Sequence, residues 1–172
     1  MEHRNRGRSR PGVAGVVLYC LLTASAQGTP YFVATNGLDN GANSGLSWAS
    51  PYLTISNAVA HATNPGDEVN VSNGTYIISD TIVIANAITV QSTNGYPFTI
   101  VTASATSNRC FAVSNANAIL RGFTITGANC GVRPSGGLYY NGCGVYLSGG
   151  LVTNCLIRNN IGINSYGVGS FM

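Results

Sequence analysis

The sequence AILRGFTITG at residues 118–127 returns in altered form as GLVTNCLIRN at residues 150–159. Each copy follows a short apolar run, which is FAVS at 111–114 and VYLS at 145–148. A weaker copy, VIANAITV, lies at 83–90. Equivalent positions of the two clear copies are 32 residues apart, within the range of one coil of a solenoid protein. We therefore expect short strands that return to the same place once per coil.

The composition favours a folded chain with few charges. Only 8% of the 172 residues are charged, against roughly 25% in an ordinary soluble domain, while 45% are hydrophobic. Glycine supplies 22 residues and asparagine 19. In a parallel solenoid, coils stack about 4.8 Å apart, so ladders of identical charges would repel, whereas asparagine suits the corners. All eight basic residues are arginines, and four lie in the first ten positions, which argues against a nucleic-acid-binding surface.

One segment has the pattern of a helix. Ile55, Ala58, Val59 and Ala62 fall at i, i+3, i+4 and i+7, so they form one apolar stripe on a helix over Tyr52–Ala62. A solenoid needs its first coil covered because the open end would expose apolar side chains. We expect this helix to cap that end.

The N-terminus reads as an export signal. Arginines at alternate positions over 4–10 form a basic region, an apolar run follows at 13–22, and Ala24-Ser25-Ala26 suits a signal peptidase. The apolar run is shorter than the roughly 20 residues of a membrane span. The sequence predicts cleavage after Ala26 and a secreted or cell-surface protein. The lost segment carries the net charge of +3, so the mature chain is neutral.

Four cysteines remain after the predicted cleavage: Cys110, Cys130, Cys143 and Cys155. Their even number permits two disulfides in an oxidising compartment, and buried apolar thiols are an equally good interpretation. A bridge between Cys130 and Cys143 would close the base of the polar loop between them. No CxxC pair is present, so we predict no metal site.

Several segments together resemble a known family. They are WASPYLTISNAVAHA at 48–62, PGDEVNV at 65–71, NGTY at 73–76 and LRGFTI at 120–125. This chain resembles the N-terminal portion of bacterial secreted right-handed parallel β-helix proteins of the pectate-lyase-like superfamily, especially large cell-surface members. The resemblance covers most of residues 31–165. It implies an all-β fold, a right-handed parallel β-helix with a short N-terminal capping helix. The family includes lyases, hydrolases, epimerases and adhesins, so activity does not follow from the fold.

The acidic residues do not suit the family's chemistries. Asp80 is the last acidic residue of the sequence, and no histidine follows it. A glycosidase needs two carboxyl groups, and a calcium-dependent lyase needs several oxygen ligands. We predict no catalytic residue, no cofactor and no metal in the coils. Asp67 follows a turn and is predicted to accept hydrogen bonds from turn amides, while the adjacent Glu68 points to the opposite face.

The polar loop between Cys130 and Cys143 is the sequence's candidate for binding. Arg133, Tyr139 and Tyr140 can stack on and hydrogen-bond a sugar. The alternative is that the two tyrosines cover their own coil. We treat the three residues as candidate carbohydrate contacts.

The predicted organisation is a signal peptide at 1–26, an N-terminal extension at 27–51 and a parallel β-helix at 52–172. The glycine-rich C-terminus does not resemble a cap, so we expect the native chain to continue past Met172 or to associate end to end. We predict a non-catalytic, exported cell-surface module with a structural or adhesive role and weak contact with a polysaccharide or surface glycan. The alternative is the N-terminal part of a polysaccharide lyase or glycoside hydrolase whose carboxylates lie beyond residue 172.

Overall fold

A computed structural model describes residues 27–104, 109–130 and 142–162. These ranges consist mainly of short parallel strands with one helix, α1, at Ile55–His61. The strands, in chain order, are β1 (Pro30–Val33), β2 (Glu68–Val71), β3 (Gly74–Ile78), β4 (Ile82–Ile84), β5 (Thr89–Ser92), β6 (Thr99–Ala103), β7 (Phe111–Val113), β8 (Ile119–Arg121), β9 (Thr124–Thr126), β10 (Asn129–Cys130), β11 (Val145–Leu147), β12 (Leu151–Thr153), β13 (Leu156–Ile157) and β14 (Ile161–Gly162).

The strands form four parallel sheets. A five-stranded sheet has the order β1-β2-β5-β8-β12, a four-stranded sheet β13-β9-β6-β3, and a three-stranded sheet β11-β7-β4, while β10 pairs with β14. Strands β2, β3 and β4 belong to three different sheets, and β5, β6 and β7 return to the same sheets in the same order. The chain therefore adds one strand to each of these sheets on each circuit.

The pairing register confirms the sequence repeat. Ile119 pairs with Leu151, and Phe111 pairs with Val145, as the two aligned copies predict. Earlier circuits are shorter than the repeat suggests. In the five-stranded sheet Val69 pairs with Val90, only 21 residues along. The circuit length therefore varies, because the loops between strands differ in length while the strands keep their register.

The core consists of stacked rows of inward-facing side chains. Val69, Val90 and Leu120 pair in register and are fully buried. Phe111 in β7 and Phe123 just before β9 are also fully buried, and their ring centroids are 6.0 Å apart. Burying one such side chain contributes about 1.5–3 kcal/mol. The alternation of buried and outward residues along each strand is what a sheet with one face against a core requires.

The helix is shorter than the sequence predicts. It begins at Ile55 instead of Tyr52, because Thr54 has an extended backbone (φ −112°) and its side chain accepts a hydrogen bond from the Asn57 amide. Tyr52 instead bridges to Val33 alongside β1. The predicted stripe is buried as expected, and α1 packs against β1, β2 and β4.

Left-handed residues stack at two corners. Gly122 (φ 83°) and Asn154 (φ 50°) occupy the same corner in successive circuits, directly after β8 and β12. Gly127 (φ 74°) and Asn159 (φ 54°) likewise occupy equivalent positions, one residue after the end of β9 and two residues after the end of β13. Asparagine tolerates this conformation better than other side chains do. Asn154 and Asn159 therefore have a direct role in these turns. Among the described residues, no helix is long and apolar enough to cross a membrane.

Candidate functional site

The outer face of the five-stranded sheet carries a row of side chains in register. We call Phe32, Asn70, Gln91, Arg121 and Thr153 the outer row; each pairs with the next across β1, β2, β5, β8 and β12. Arg121 is exposed and the other four are half-buried, whereas their chain neighbours on the opposite face enter the core. Adjacent strands lie about 4.8 Å apart, so the row presents regularly spaced polar groups to solvent.

Hydrogen bonds join Asn70, Gln91 and Arg121 of the outer row. Gln91 Nε2 donates to Asn70 Oδ1 at 2.7 Å and to Glu68 Oε2 at 3.4 Å. Arg121 donates to Gln91 Oε1 from Nε, at 2.7 Å, and also from Nη2. A guanidinium has five N–H donors in a fixed plane, so this arrangement holds the Arg121 plane in place and leaves donors for a ligand.

An aromatic pair lies at the β1 end of the outer row. The Phe32 and Trp48 rings meet edge to face with centroids 4.7 Å apart. Trp48 keeps 47% of its surface exposed. An exposed indole offers an apolar face and one N–H donor, a combination that suits surfaces that are part apolar and part wet. The sheet face therefore joins an aromatic platform to a set of amide and guanidinium groups.

The carboxylates of the described residues are engaged in structural hydrogen bonds. Asp67 is 1% exposed and accepts from the Thr29 and Asn64 amides at 2.8 and 2.9 Å, consistent with a structural turn role. Asp39 accepts from the amides of Leu53 and Thr54 at the start of α1.

The remaining two carboxylates and the helix histidine are also engaged. Glu68 accepts from Gln91 on the outer face, away from Asp67. Asp80 accepts from the Ser79 hydroxyl at 3.0 Å. His61 Nδ1 lies 2.8 Å from the Asn57 carbonyl oxygen, and the imidazole stacks on Tyr52 with centroids 4.9 Å apart. Asp39 and His61 both contact Asn57, and among the described residues no hydrogen bond joins a carboxylate to the imidazole.

The carbohydrate contacts predicted from sequence, Arg133, Tyr139 and Tyr140, lie outside the described residues. A disulfide joins Cys130 and Cys143, whose Cα atoms are 5.6 Å apart. It links β10 to the residues that precede β11. The other two cysteines are free, so the two interpretations of the cysteines each apply to one pair.

The free thiols are shielded from solvent. Burial raises the pKa of Cys110 from 9.0 to about 11, and the smaller influence of hydrogen bonds with the Ala103 and Thr126 backbones lowers it. Burial also raises the pKa of Cys155, which is half-buried. Thiolates are the reactive and metal-binding form, so burial disfavours that form at both cysteines. Over the described ranges, no three histidine, cysteine or acidic side chains group closely enough to hold a metal.

A scan against protein-family models, a search of curated proteins and a search of solved structures each find no match to this chain.

The outer row could not be found from the repeat alone. Asn70, Gln91 and Arg121 are 21 and 30 residues apart in sequence, so a fixed period of 32 does not align them. The available signal was the outward position of each between two buried residues of a strand, as in Val69-Asn70-Val71. The place of Trp48 beside the outer row could not be predicted from a sequence pattern, because it depends on the contact of the Trp48 ring with Phe32.

Proposed function

We propose that this chain is an exported, non-catalytic cell-surface module built as a right-handed parallel β-helix, with an adhesive or structural role and a carbohydrate-contacting outer face. The fold proposal is supported by the parallel pairing of every strand in the described residues and by the return of successive strands to the same sheets. Right-handed crossovers are the rule for parallel connections within one sheet. The proposed right-handedness rests on that rule.

The export part of the proposal is supported by the N-terminal sequence. A basic region, a short apolar run and Ala24-Ser25-Ala26 are typical of a cleaved signal. Edman or mass-spectrometric sequencing of the exported protein is expected to give Gln27 as the first residue. An N-terminus upstream of Gln27, or retention of the protein in the cell, would contradict export through this signal.

The non-catalytic part is supported by how the chain uses its acids. A carboxylate engaged with backbone amides, as Asp67 is, cannot move to protonate a leaving group without opening its turn. Asp39 is similarly engaged at the start of α1. The binding part of the proposal is supported by the outer row, whose side chains face outward and are not part of the core.

The observation that carries the binding proposal is the joint presence of Trp48 at one end of the outer row and Arg121 held by Gln91 along it. Aromatic faces stack on the apolar faces of sugar rings, while amide and guanidinium groups bond to hydroxyls. A row of side chains in register along successive strands suits an extended polymer better than a compact small molecule, because its groups are spread over five strands.

The proposal is tested by retention on polysaccharides. The purified mature protein would be mixed with insoluble cellulose, chitin, xylan and peptidoglycan, and the bound fraction measured against concentration. We expect one of these to retain the protein, and Trp48→Ala and Arg121→Ala each to weaken retention about tenfold, the loss of roughly one anchoring contact. Ile77→Ala is the matched control, since Ile77 is 69% exposed on the four-stranded sheet. Equal retention by all variants, or none by the wild type, would overturn the binding proposal.

A further inference from the structure

Four asparagine–glycine pairs lie within the described residues. They are Asn36-Gly37, Asn40-Gly41, Asn73-Gly74 and Asn94-Gly95. All four asparagines are exposed. Asparagine is among the thermally labile residues of proteins, and a following glycine leaves its side-chain amide open to attack by the next backbone nitrogen. By local sequence and exposure, the four pairs are equivalent.

The glycine amides distinguish the four pairs. Gly37 N donates to the Ala34 carbonyl, and Gly74 N donates to the Phe98 carbonyl, each at 2.9 Å. Gly95 N donates to Ser92 Oγ at 2.9 Å. Gly41 N donates to no described residue. Three of the four candidate nucleophiles are therefore engaged in hydrogen bonds, and one is free.

We propose that Asn40-Gly41 is a spontaneous modification site at which the native protein deamidates first. The Gly41 nitrogen gives up its proton and attacks Asn40 Cγ, forming a C–N bond. The side-chain nitrogen leaves with a proton as ammonia, and a cyclic imide remains. Water then opens either carbonyl of the imide, giving aspartate or isoaspartate at position 40. Water is the only co-reactant, and no oxidation state changes.

The surroundings of Asn40 favour this reaction. Asn40 Oδ1 accepts from the Ala42 amide at 3.1 Å, which folds the side chain back along its own backbone. Gly41 has φ +82°, and apart from its two chain neighbours no residue has a heavy atom within 4 Å of where its Cβ would be. The backbone can therefore rotate toward the imide geometry without meeting a neighbour.

The modification would act on the start of α1. Asp39, the residue before Asn40, accepts from the Leu53 and Thr54 amides and from the Thr54 hydroxyl and Asn57 side chain. A new carboxylate at position 40 places a like charge beside Asp39. The isoaspartyl product also inserts an extra methylene into the backbone next to it. Deamidation would thus weaken the contacts that hold residues 53–57.

Peptide mapping of the aged protein tests the proposal. The mature protein would be incubated in mildly alkaline buffer, digested, and analysed by mass spectrometry for the conversion of each asparagine. We expect Asn40 to react about fivefold to tenfold faster than Asn36, Asn73 and Asn94, because a hydrogen bond of about 1 kcal/mol must first break at each of those sites. In denaturant the four rates should converge, since the local sequences then decide them.

Two variants connect the chemistry to its consequence. Asn40→Gln should abolish the fast phase, and the aged wild type should melt at a lower temperature than aged Asn40→Gln. Asn94→Gln is the matched control and should age as the wild type does. Equal rates at the four sites in the native protein, faster reaction at another asparagine, or identical melting of aged wild type and aged Asn40→Gln would each overturn the proposal.

Discussion

Strand β1 and strands β11–β14 all lie at the edge of a sheet among the described residues, yet their surroundings differ. The outer side of β1 is occupied: Phe32 N donates to the Gly45 carbonyl at 2.7 Å, and Ala34 N donates to the Tyr52 carbonyl at 3.0 Å. Helix α1 covers the inner side, and Val33 is fully buried. We call β1, residues 34–53 and α1 the closed end, and β11–β14 the end strands.

The end strands bury much less. Leu147 lies in register with Val113, which is fully buried, yet Leu147 keeps 50% of its surface exposed. Leu151, Leu156 and Ile161 are exposed too, but they alternate with the inward positions, which Val152 and Ile157 occupy half-buried in β12 and β13. In the three-stranded sheet, the inward position is therefore fully buried in β4 and β7 but half exposed in β11. At the closed end, residues 34–53 and α1 take the place of a neighbouring strand.

The largest expected effect comes from one row of the three-stranded sheet. Ile84, Val113 and Leu147 lie in register, but Ile84 is fully buried whereas Leu147 is 50% exposed. Ile84→Ala should reduce the free energy of unfolding by about 2–5 kcal/mol, because it removes buried apolar volume. Leu147→Ala should cost less than about 1 kcal/mol, as half of that side chain already meets water. Urea unfolding of both variants measures the difference, and equal losses would contradict the comparison.

The second largest loss of stability is expected from removing the disulfide, and it should be greatest at the end strands. Cys130 and Cys143 close a loop with a sequence separation of 13, and such a link stabilises a protein by about 3 kcal/mol in the chain-entropy account. The Cys130→Ser, Cys143→Ser double variant should therefore unfold at lower urea concentration. Limited proteolysis should cut it first in the 131–162 region. First cleavage within residues 30–62 would show that the bridge supports the closed end instead.

A smaller effect is expected at the closed end from Thr54→Ala. The Thr54 side chain accepts from the Asn57 amide at 3.2 Å and caps α1. Loss of an N-terminal cap typically costs about 1 kcal/mol. Thr75→Ala is a suitable control, since Thr75 is an exposed threonine in β3 outside the closed end. A thermal melt of both variants should show the loss in Thr54→Ala only.

The smallest effect concerns the two free thiols. The pKa of Cys110 is raised to about 11 by burial, and that of Cys155 is also raised. Since the folded state disfavours the thiolate, these groups leave stability unchanged well below pH 9 and reduce it as the pH rises above the ordinary value of 9.0. Iodoacetamide should label Cys155, beside the end strands, faster than the fully buried Cys110. Faster labelling of Cys110 would contradict the difference in burial.

The sequence predicted more of the fold than of the site. The register of β8 with β12 follows from the repeat, because β8 and β9 are separated by the same number of residues as β12 and β13. The helix α1 begins at Ile55 and not at the predicted Tyr52, because Thr54 caps it. The sequence also does not reveal that Asp39 accepts a hydrogen bond from the Leu53 amide. The outer row could not be predicted from the sequence for a related reason. Its members are brought together by circuits of unequal length, which only the three-dimensional register discloses.

Amide hydrogen exchange measured by mass spectrometry tests the difference between the two ends most directly. Peptides that contain β1 should exchange nearly as slowly as peptides that contain β5, because the closed end supplies hydrogen bonds and burial on the outer side of β1. Peptides that contain β12 and β13 should exchange markedly faster, in keeping with their exposed side chains. Exchange at β1 as fast as at β12, or slower exchange at β12 than at β1, would contradict the account.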